Sequence, residues 1–253
     1  MINKVVLVTG GAKGIGRGIS ERFLASGATV VVCGRETPKE LPSHGKEKAE
    51  FIAADVRDAV ARDKLFSEIA QKHGRLDVLV NNAGGSPFAM ADKASPRFHE
   101  SIINLNLLAP FHLAQKANTM MQMQGEGGVI VFVASVSGLR PSPGTAAYGA
   151  AKAGILNLTT SLAIEWAPKV RVVAVSPGLV RTEQSEMHYG DEKGIASVSK
   201  TVPLGRMSTP EEIGDACVWL SSKQASYISG TNLVMHGGGE SPSFLAAANV
   251  NKS

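Results

Sequence analysis

The sequence predicts a doubly wound α/β fold: a mainly parallel seven-stranded sheet with helices on both faces, in a single domain over residues 1–253. Three observations carry that expectation. Short Val/Ile/Leu runs alternate with longer segments of helical spacing, and strands joined through helices run parallel with right-handed crossovers. The runs are continuously apolar, the pattern of strands buried on both faces. Hydrophobic residues make up 43 % and charged residues 19 % of the chain, enough for one sizeable core, and no break in composition marks a second domain.

The elements follow in order. "KVVLVT" (4–9) is the first strand, and Ile15, Ile19, Phe23 and Leu24 form the apolar stripe of a helix over 14–26. "TVVVCG" (29–34) is the second strand. Two prolines and a glycine in 36–48 replace a full crossover helix with a short, irregular one. "AEFIAA" (49–54) is a third strand, followed by a helix over 58–73 on Val60, Leu65, Phe66 and Ile69. "LDVLVN" (76–81) and "GVIVFVAS" (128–135) follow as strands. Ile155, Leu158, Leu162 and Trp166 mark a long helix over 147–167, stopped by Pro168. "VRVVAVS" (170–176) is the sixth strand and "NLVM" (232–235) a seventh. Residues 181–206 are polar and aperiodic, and so long a loop in a compact domain reads as a substrate lid. Residues 240–253 form a short tail.

Charge and cysteine usage narrow the function. The net charge is +4, from 26 basic and 22 acidic residues, with no run of five or six cations, so no nucleic-acid partner is expected. Cys33 and Cys217 sit far apart in apolar runs and read as core residues in a reducing compartment. The six histidines lack metal spacing, and "HESII" (99–103) lacks the second histidine of a zinc helix, so no catalytic metal is expected. No run approaches the ~18 apolar residues of a membrane span, and the first apolar run is too short for a signal peptide. A cytoplasmic protein acting on a small molecule is the expectation.

Two motifs carry chemistry. After the first strand comes "TGGAKGIGRG" (9–18). Gly11 and Gly16 have the glycine spacing of an NTPase phosphate loop, but Arg17 and Gly18 stand where its lysine and hydroxyl belong. Gly10-x-x-x-Gly14-x-Gly16 still brings a tight backbone turn to a helix N-terminus, as a pyrophosphate needs. The second motif occurs twice: Tyr148 and Lys152 in "YGAAK", and Tyr189 and Lys193 in "YGDEK", each pair four apart as on one helix face. "YGAAK" begins the long helix. "YGDEK" lies in the lid, where coincidence is the better reading, although Tyr189 could touch a substrate.

Thr9-Gly10-x-x-x-Gly14-x-Gly16 resembles the cofactor loop of the classical short-chain dehydrogenase/reductase family, which has a Rossmann-like fold. That family's other motifs are in register. "NNAG" ends the fourth strand at 81–84, and Asn106 opens "NLLAPF". Ser135 lies thirteen residues before Tyr148, and Pro177-Gly178-x-x-x-Thr182 follows the sixth strand. The resemblance covers residues 4 to about 239. It implies an oxidoreductase in which Asn106, Ser135, Tyr148 and Lys152 are catalytic. Tyr148 would be the general acid or base, its pKa of about 10 lowered by the charge of Lys152 and of the oxidised nicotinamide. Ser135, favoured by register over Ser137, would hydrogen-bond the substrate oxygen. Lys152 would also hold the nicotinamide ribose. Asn106, favoured over Asn104, would hold a water linking Lys152 to solvent.

For the cofactor, the resemblance points to Gly10, Lys13, Gly14, Ile15 and Gly16 in the glycine loop. Asp55 and Val56 would meet the adenine. Asn82, Ala83 and Gly84 would shape the adenosine side. Pro177, Gly178, Val180 and Thr182 would lie at the nicotinamide. NAD-selective members usually carry an acid at the end of the second strand; here Gly34 stands there, followed by Arg35. Arg35 and Lys13 could bind a 2′-phosphate, which favours NADP(H) over NAD(H), although Glu36 could reach the ribose instead. Ser86, Pro87, Phe88, Met90, residues 138–144, Met187 and Tyr189 are the expected substrate wall.

The expected reaction interconverts a ketone and a secondary alcohol. Alternatives are a 3-oxoacyl-thioester reductase, an NAD-dependent alcohol or hydroxysteroid-type dehydrogenase, and a non-catalytic NADP sensor. A homotetramer is implied by the resemblance alone. The chain departs from the family where many members read Asp-Gly-Gly: His236-Gly237-Gly238 stands there.

Overall fold

The valine-rich runs pair side by side as parallel strands, in the order β5-β2-β1-β6-β7-β8-β9. This computed structural model describes residues 1–243 and 247. The chain begins β1 (Val5–Thr9), α1 (Gly14–Ala25), β2 (Thr29–Gly34), β3 (Ser43–His44), β4 (Glu47–Lys48), β5 (Glu50–Ala53), α2 (Ala59–His73) and β6 (Val78–Asn81). Next come α3 (Pro96–Ile103), a π-helical turn at Asn104–Leu108, α4 (Ala109–Met123) and β7 (Gly128–Val133). The remainder is a 3-10 turn at Val136–Gly138, α5 (Ala146–Glu165), β8 (Val170–Pro177), α6 (Ser185–Tyr189), α7 (Glu192–Ser199), α8 (Pro210–Ser221) and β9 (Asn232–Met235). All seven expected strands are present in one sheet.

Alternate residues of the inner strands feed two separate cores. Val5 and Leu7 pack with α2, α4 and α5 on one face, whereas Val6 and Val8 pack with α1 and α8 on the other. That two-sided burial is why the strands read as unbroken apolar runs. Cys33 and Cys217 are both buried, and burial pushes each thiol up to about 12.

Three expectations are corrected. Residues 36–48 hold no helix: Pro38 and Pro42 break it, and Gly45, at φ 60°, turns a small antiparallel hairpin of β3 and β4. The lid is not aperiodic coil but contains α6 and α7. "YGDEK" is split between them, because Gly190 (φ 79°) ends α6 and Asp191 caps α7, so Tyr189 and Lys193 share no helix face. The helices α3, α4 and α8 go beyond the three foreseen. The expected tail beyond residue 243 lies, apart from residue 247, outside the described residues.

Candidate active site

The strand order reverses between β2 and β6, on either side of β1, and the carboxyl ends of these strands open there into a crevice. A cleft of ≈ 610 Å³ lies at that place. The glycine loop forms one side. Gly10 (φ 62°) and Gly14 (φ 49°) adopt backbone that only glycine takes readily. Gly16 must lack a side chain, since a Cβ would meet the Gly10 carbonyl and come within 2.5 Å of Asn82 Nδ2. Asn82 Nδ2 donates to the Thr9 carbonyl at 2.9 Å, and Thr9 Oγ1 accepts from the Asn82 and Ala83 amides at 3.0 and 2.9 Å. These bonds join the glycine loop to the end of β6.

Helix α1 begins without a side-chain cap and without an acid in its first turn, leaving its end available to an anion. The Gly14 amide donates to Glu183 Oε1 of the lid at 2.9 Å. A glycine cradle at a helix N-terminus whose first amide already holds a carboxylate, continuous with the cleft, fits the phosphates of a dinucleotide.

At one end the cleft is lined by Lys13, Arg35, Glu36, Asp55, Val56 and Arg57. Asp55 accepts three hydrogen bonds from Arg57: from Nη2 at 2.7 Å, and from Nε and the backbone amide at 3.0 Å each. Arg57 is the first reason, and the charge of Arg35 a smaller one, that Asp55 sits below the usual carboxylate range. Sequence reasoning missed Arg57. Its signal was its place two residues after the Asp55 that ends the approach from β5.

At the other end lie Ser135, Tyr148 and Lys152. Ser135 ends the β7 approach in extended backbone (φ −171°) and caps the 3-10 turn, accepting from the Ser137 amide at 3.1 Å. Gly138 brings that turn onto α5: a Cβ there would sit 2.7 Å from the Lys152 carbonyl carbon. Tyr148 lies in the first turn of α5 and Lys152 one turn later, its Nζ 5.4 Å from the Tyr148 ring centroid. Lys152 is 5 % exposed and donates to the Val133 carbonyl at 2.7 Å. Burial pushes Lys152 down to about 8. Burial also pushes the Tyr148 phenol up, while the Ser135 side chain pulls it the other way. The lowering expected from Lys152 is therefore not what dominates here, because the low-dielectric wall disfavours both charges.

Asn106 lies behind this wall in the π-helical turn, fully buried. Its Oδ1 accepts from the Gly85 amide at 2.8 Å, and its Nδ2 donates to the Gly85 and Ile102 carbonyls at 2.9 Å each. Both amide protons are committed, so the side chain clamps the "NNAG" loop and has no donor left for the expected water. Val180 forms a bridge to Ser208 and packs on the core beside α1 and α8. Gly10, Gly14, Ile15, Gly16, Asn82, Ala83, Gly84, Pro177, Gly178 and Thr182 all line the cleft, joined by the unforeseen Gly85 and Gln184. Among the described residues, no three His, Cys, Asp or Glu are arranged to hold a metal, and no helix is long and apolar enough to cross a membrane.

Comparison with known proteins agrees with this geometry. A family model described as Enoyl-(Acyl carrier protein) reductase matches residues 10–240. The chain is 36 % identical to a probable 2,4-dienoyl-CoA reductase of Bacillus subtilis, over 94 % of this chain and 97 % of that protein. It is 35 % identical to a 3-oxoacyl-[acyl-carrier-protein] reductase of Thermotoga maritima, over 93 % of this chain and 97 % of the relative. The ligand-free structure of Thermoplasma acidophilum aldohexose dehydrogenase superposes with a TM-score of 0.87 at 29 % identity, covering 100 % of this chain and 98 % of that one. The chain belongs to the short-chain dehydrogenase/reductase family and is an oxidoreductase that works with an NAD(P) cofactor on a small-molecule substrate.

Proposed function

We propose that the protein interconverts a ketone and a secondary alcohol, with NADP(H) as the preferred cofactor and Tyr148 as general acid or base. The observation that carries this reading is that Ser135, Tyr148 and Lys152 line the same cleft as the glycine loop. When bound, the nicotinamide supplies or accepts the hydride. The substrate oxygen then needs a proton and a fixed donor. Tyr148 gives the proton in reduction and takes it in oxidation. Ser135 holds the oxygen. Lys152 holds the ribose, and its charge near the phenol favours tyrosinate in oxidation. Asn106 acts through Gly85, fixing the loop that faces Lys152, and any relay water is left to its backbone.

Tyr148→Phe is expected to lower kcat/KM by at least about 100-fold, the usual share of a positioned proton donor, while NADPH still binds. Ordinary turnover in that variant would end the proposal. The preference for NADP(H) is supported by Lys13, Arg35 and Arg57 at the adenosine end of the cleft, where the end of β2 offers Gly34 rather than a carboxylate. Equilibrium titration should give a smaller Kd for NADPH than for NADH; the reverse order would refute the assignment.

A second reading, reduction of an acyl thioester, is favoured by the names of the two similar enzymes. An assay of NADPH oxidation with simple ketones and 3-oxoacyl-CoA thioesters separates the two. A protein that binds NADPH tightly and turns over neither would be a sensor.

A further inference from the structure

The loop between Ser135 and Tyr148 begins and ends on residues that line the cleft, and its middle joins them. That middle carries Leu139 and Arg140. Leu139 is 51 % exposed, and the neighbouring Phe88, at 74 %, lies against the backbone of Gly144 in the same loop. The Ala89 amide donates to the Gly144 carbonyl at 2.8 Å, which fixes the "NNAG" continuation onto this loop. Met187 of the lid is 84 % exposed. Large apolar side chains of three segments thus stand uncovered. Exposed apolar side chains of this size suit a surface that a ligand covers.

Arg140 follows Leu139 in the same loop. Arg140 is close enough to the half-buried Tyr189 of the lid that its charge counteracts the upward push of burial on that phenol. Its Nη2 pairs with Glu240 Oε1 at 2.7 Å, and its Nη1 donates to the Pro141 carbonyl at 3.0 Å. Both sides of the pair keep solvent access, with side chains 39 % and 54 % exposed, so the pair is weakly held. Glu240 follows Gly237, Gly238 and Gly239, all at positive φ, a stretch of backbone that other residues do not readily adopt.

Resting on the oxidoreductase reading above, we propose that Arg140 recognises an anionic group on the substrate and that the carboxylate of Glu240 holds its place until the substrate arrives. The substrate class is then an amphipathic carbonyl compound. Its apolar body lies against Phe88, Leu139 and Met187, and its anionic end pairs with the guanidinium. Guanidinium suits either a carboxylate or a phosphate, because both accept its paired donors. The anion belongs either to a keto acid or to the nucleotide part of a thioester.

Two matched pairs of probes test this. One pair is a ketone bearing a carboxylate at the far end of an apolar body and its methyl ester. The other is a 3-oxoacyl-CoA and the same acyl group on N-acetylcysteamine. The reading is the ratio of kcat/KM between the anionic and the neutral member. Arg140→Gln should lower that ratio about tenfold or more in one pair, the loss of a charge-assisted hydrogen bond, and the pair that responds names the source of the anion. Glu240→Gln should move the same ratio upward, mainly through KM. A ratio that Arg140→Gln leaves unchanged in both pairs overturns the inference, even if overall turnover falls. Wild-type enzyme inactive on all four probes would overturn the proposed function as well, whereas good turnover without charge preference overturns this inference alone.

Discussion

A Cβ on Gly84 would sit 2.6 Å from Asn106 Oδ1 and 3.5 Å from Lys152 Nζ. Neither neighbour can step aside, because Asn106 is fully buried with its amide committed and Lys152 is tied to the Val133 carbonyl. Gly84→Ala therefore has to displace the Asn106 clamp, which fixes the loop facing Lys152. We predict a fall in kcat/KM of about tenfold or more, since small misplacements of catalytic groups are that expensive. The variant should also unfold at a lower temperature, because the buried Asn106 has to give up hydrogen bonds to admit the methyl group. Normal kinetics in the variant would show that Lys152 has slack the geometry does not suggest. This residue was legible in the sequence as part of "NNAG", but its reason was not. The clamp by Asn106 needs the π-helical turn of 104–108, which no apolar spacing announces.

Elements were legible to the degree that burial dictated them. The five inner strands read clearly because each is buried by two cores, and the partly buried edge strands β5 and β9 read from their apolar residues. The hairpin of β3 and β4 and the helices α6 and α7 did not, because they are short and largely exposed, so no apolar period runs through them. Helix α8, not among the helices foreseen, carries another signal in its sequence. Thr209 and Glu212 bracket Pro210 as a capping box: Glu212 Oε2 accepts from the Thr209 amide at 2.9 Å and Thr209 Oγ1 from the Glu212 amide at 3.4 Å. The cap matters because α8 docks closely on α1. A Cβ on Gly18 would meet Pro210 at 2.5 Å, and one on Gly214 would meet the Gly18 carbonyl at 2.8 Å. Thr209→Ala is expected to cost about 1 kcal/mol, the usual worth of a cap, read as a lower midpoint in urea. Gly18→Ala should destabilise more than Thr209→Ala, because the helices must separate to admit the methyl group. The opposite ranking would mean that the α1–α8 contact yields easily.

On the scale of the whole molecule, chemistry and structural support occupy opposite ends of the sheet. The cleft lies beyond the carboxyl ends of the strands. At the amino ends, Asp77 leads into β6 with its side chain 5 % exposed. It accepts from the Val5 amide at 2.9 Å, from Lys4 Nζ at 3.1 Å, and from Arg75 at 2.5 and 2.9 Å. Lys4 also pairs with Glu126, in the turn before β7, so three neighbouring strand entries are tied together. Burial alone would raise the Asp77 carboxyl, but Arg75, the Val5 amide and Lys4 outweigh it and hold it below its ordinary value. A carboxylate depressed on folding adds stability above its unfolded pKa of about 3.9 and loses it as pH falls through the folded value. Asp77→Asn should therefore destabilise the protein by about 1–2 kcal/mol near neutral pH, as a buried carboxylate loses charged hydrogen bonds to partners that keep solvent access. The gap between wild type and variant should shrink below about pH 4, as the wild-type carboxylate takes up its proton. Because the site is at the far end, kcat/KM of the folded variant should stay within about twofold of wild type, as expected for sites without shared partners. Urea unfolding across pH 3 to 7, with activity measured well below the transition, tests both halves. A constant gap across that range would take Asp77 out of the acid response, and a large loss of kcat/KM would mean that the two ends of the sheet are coupled.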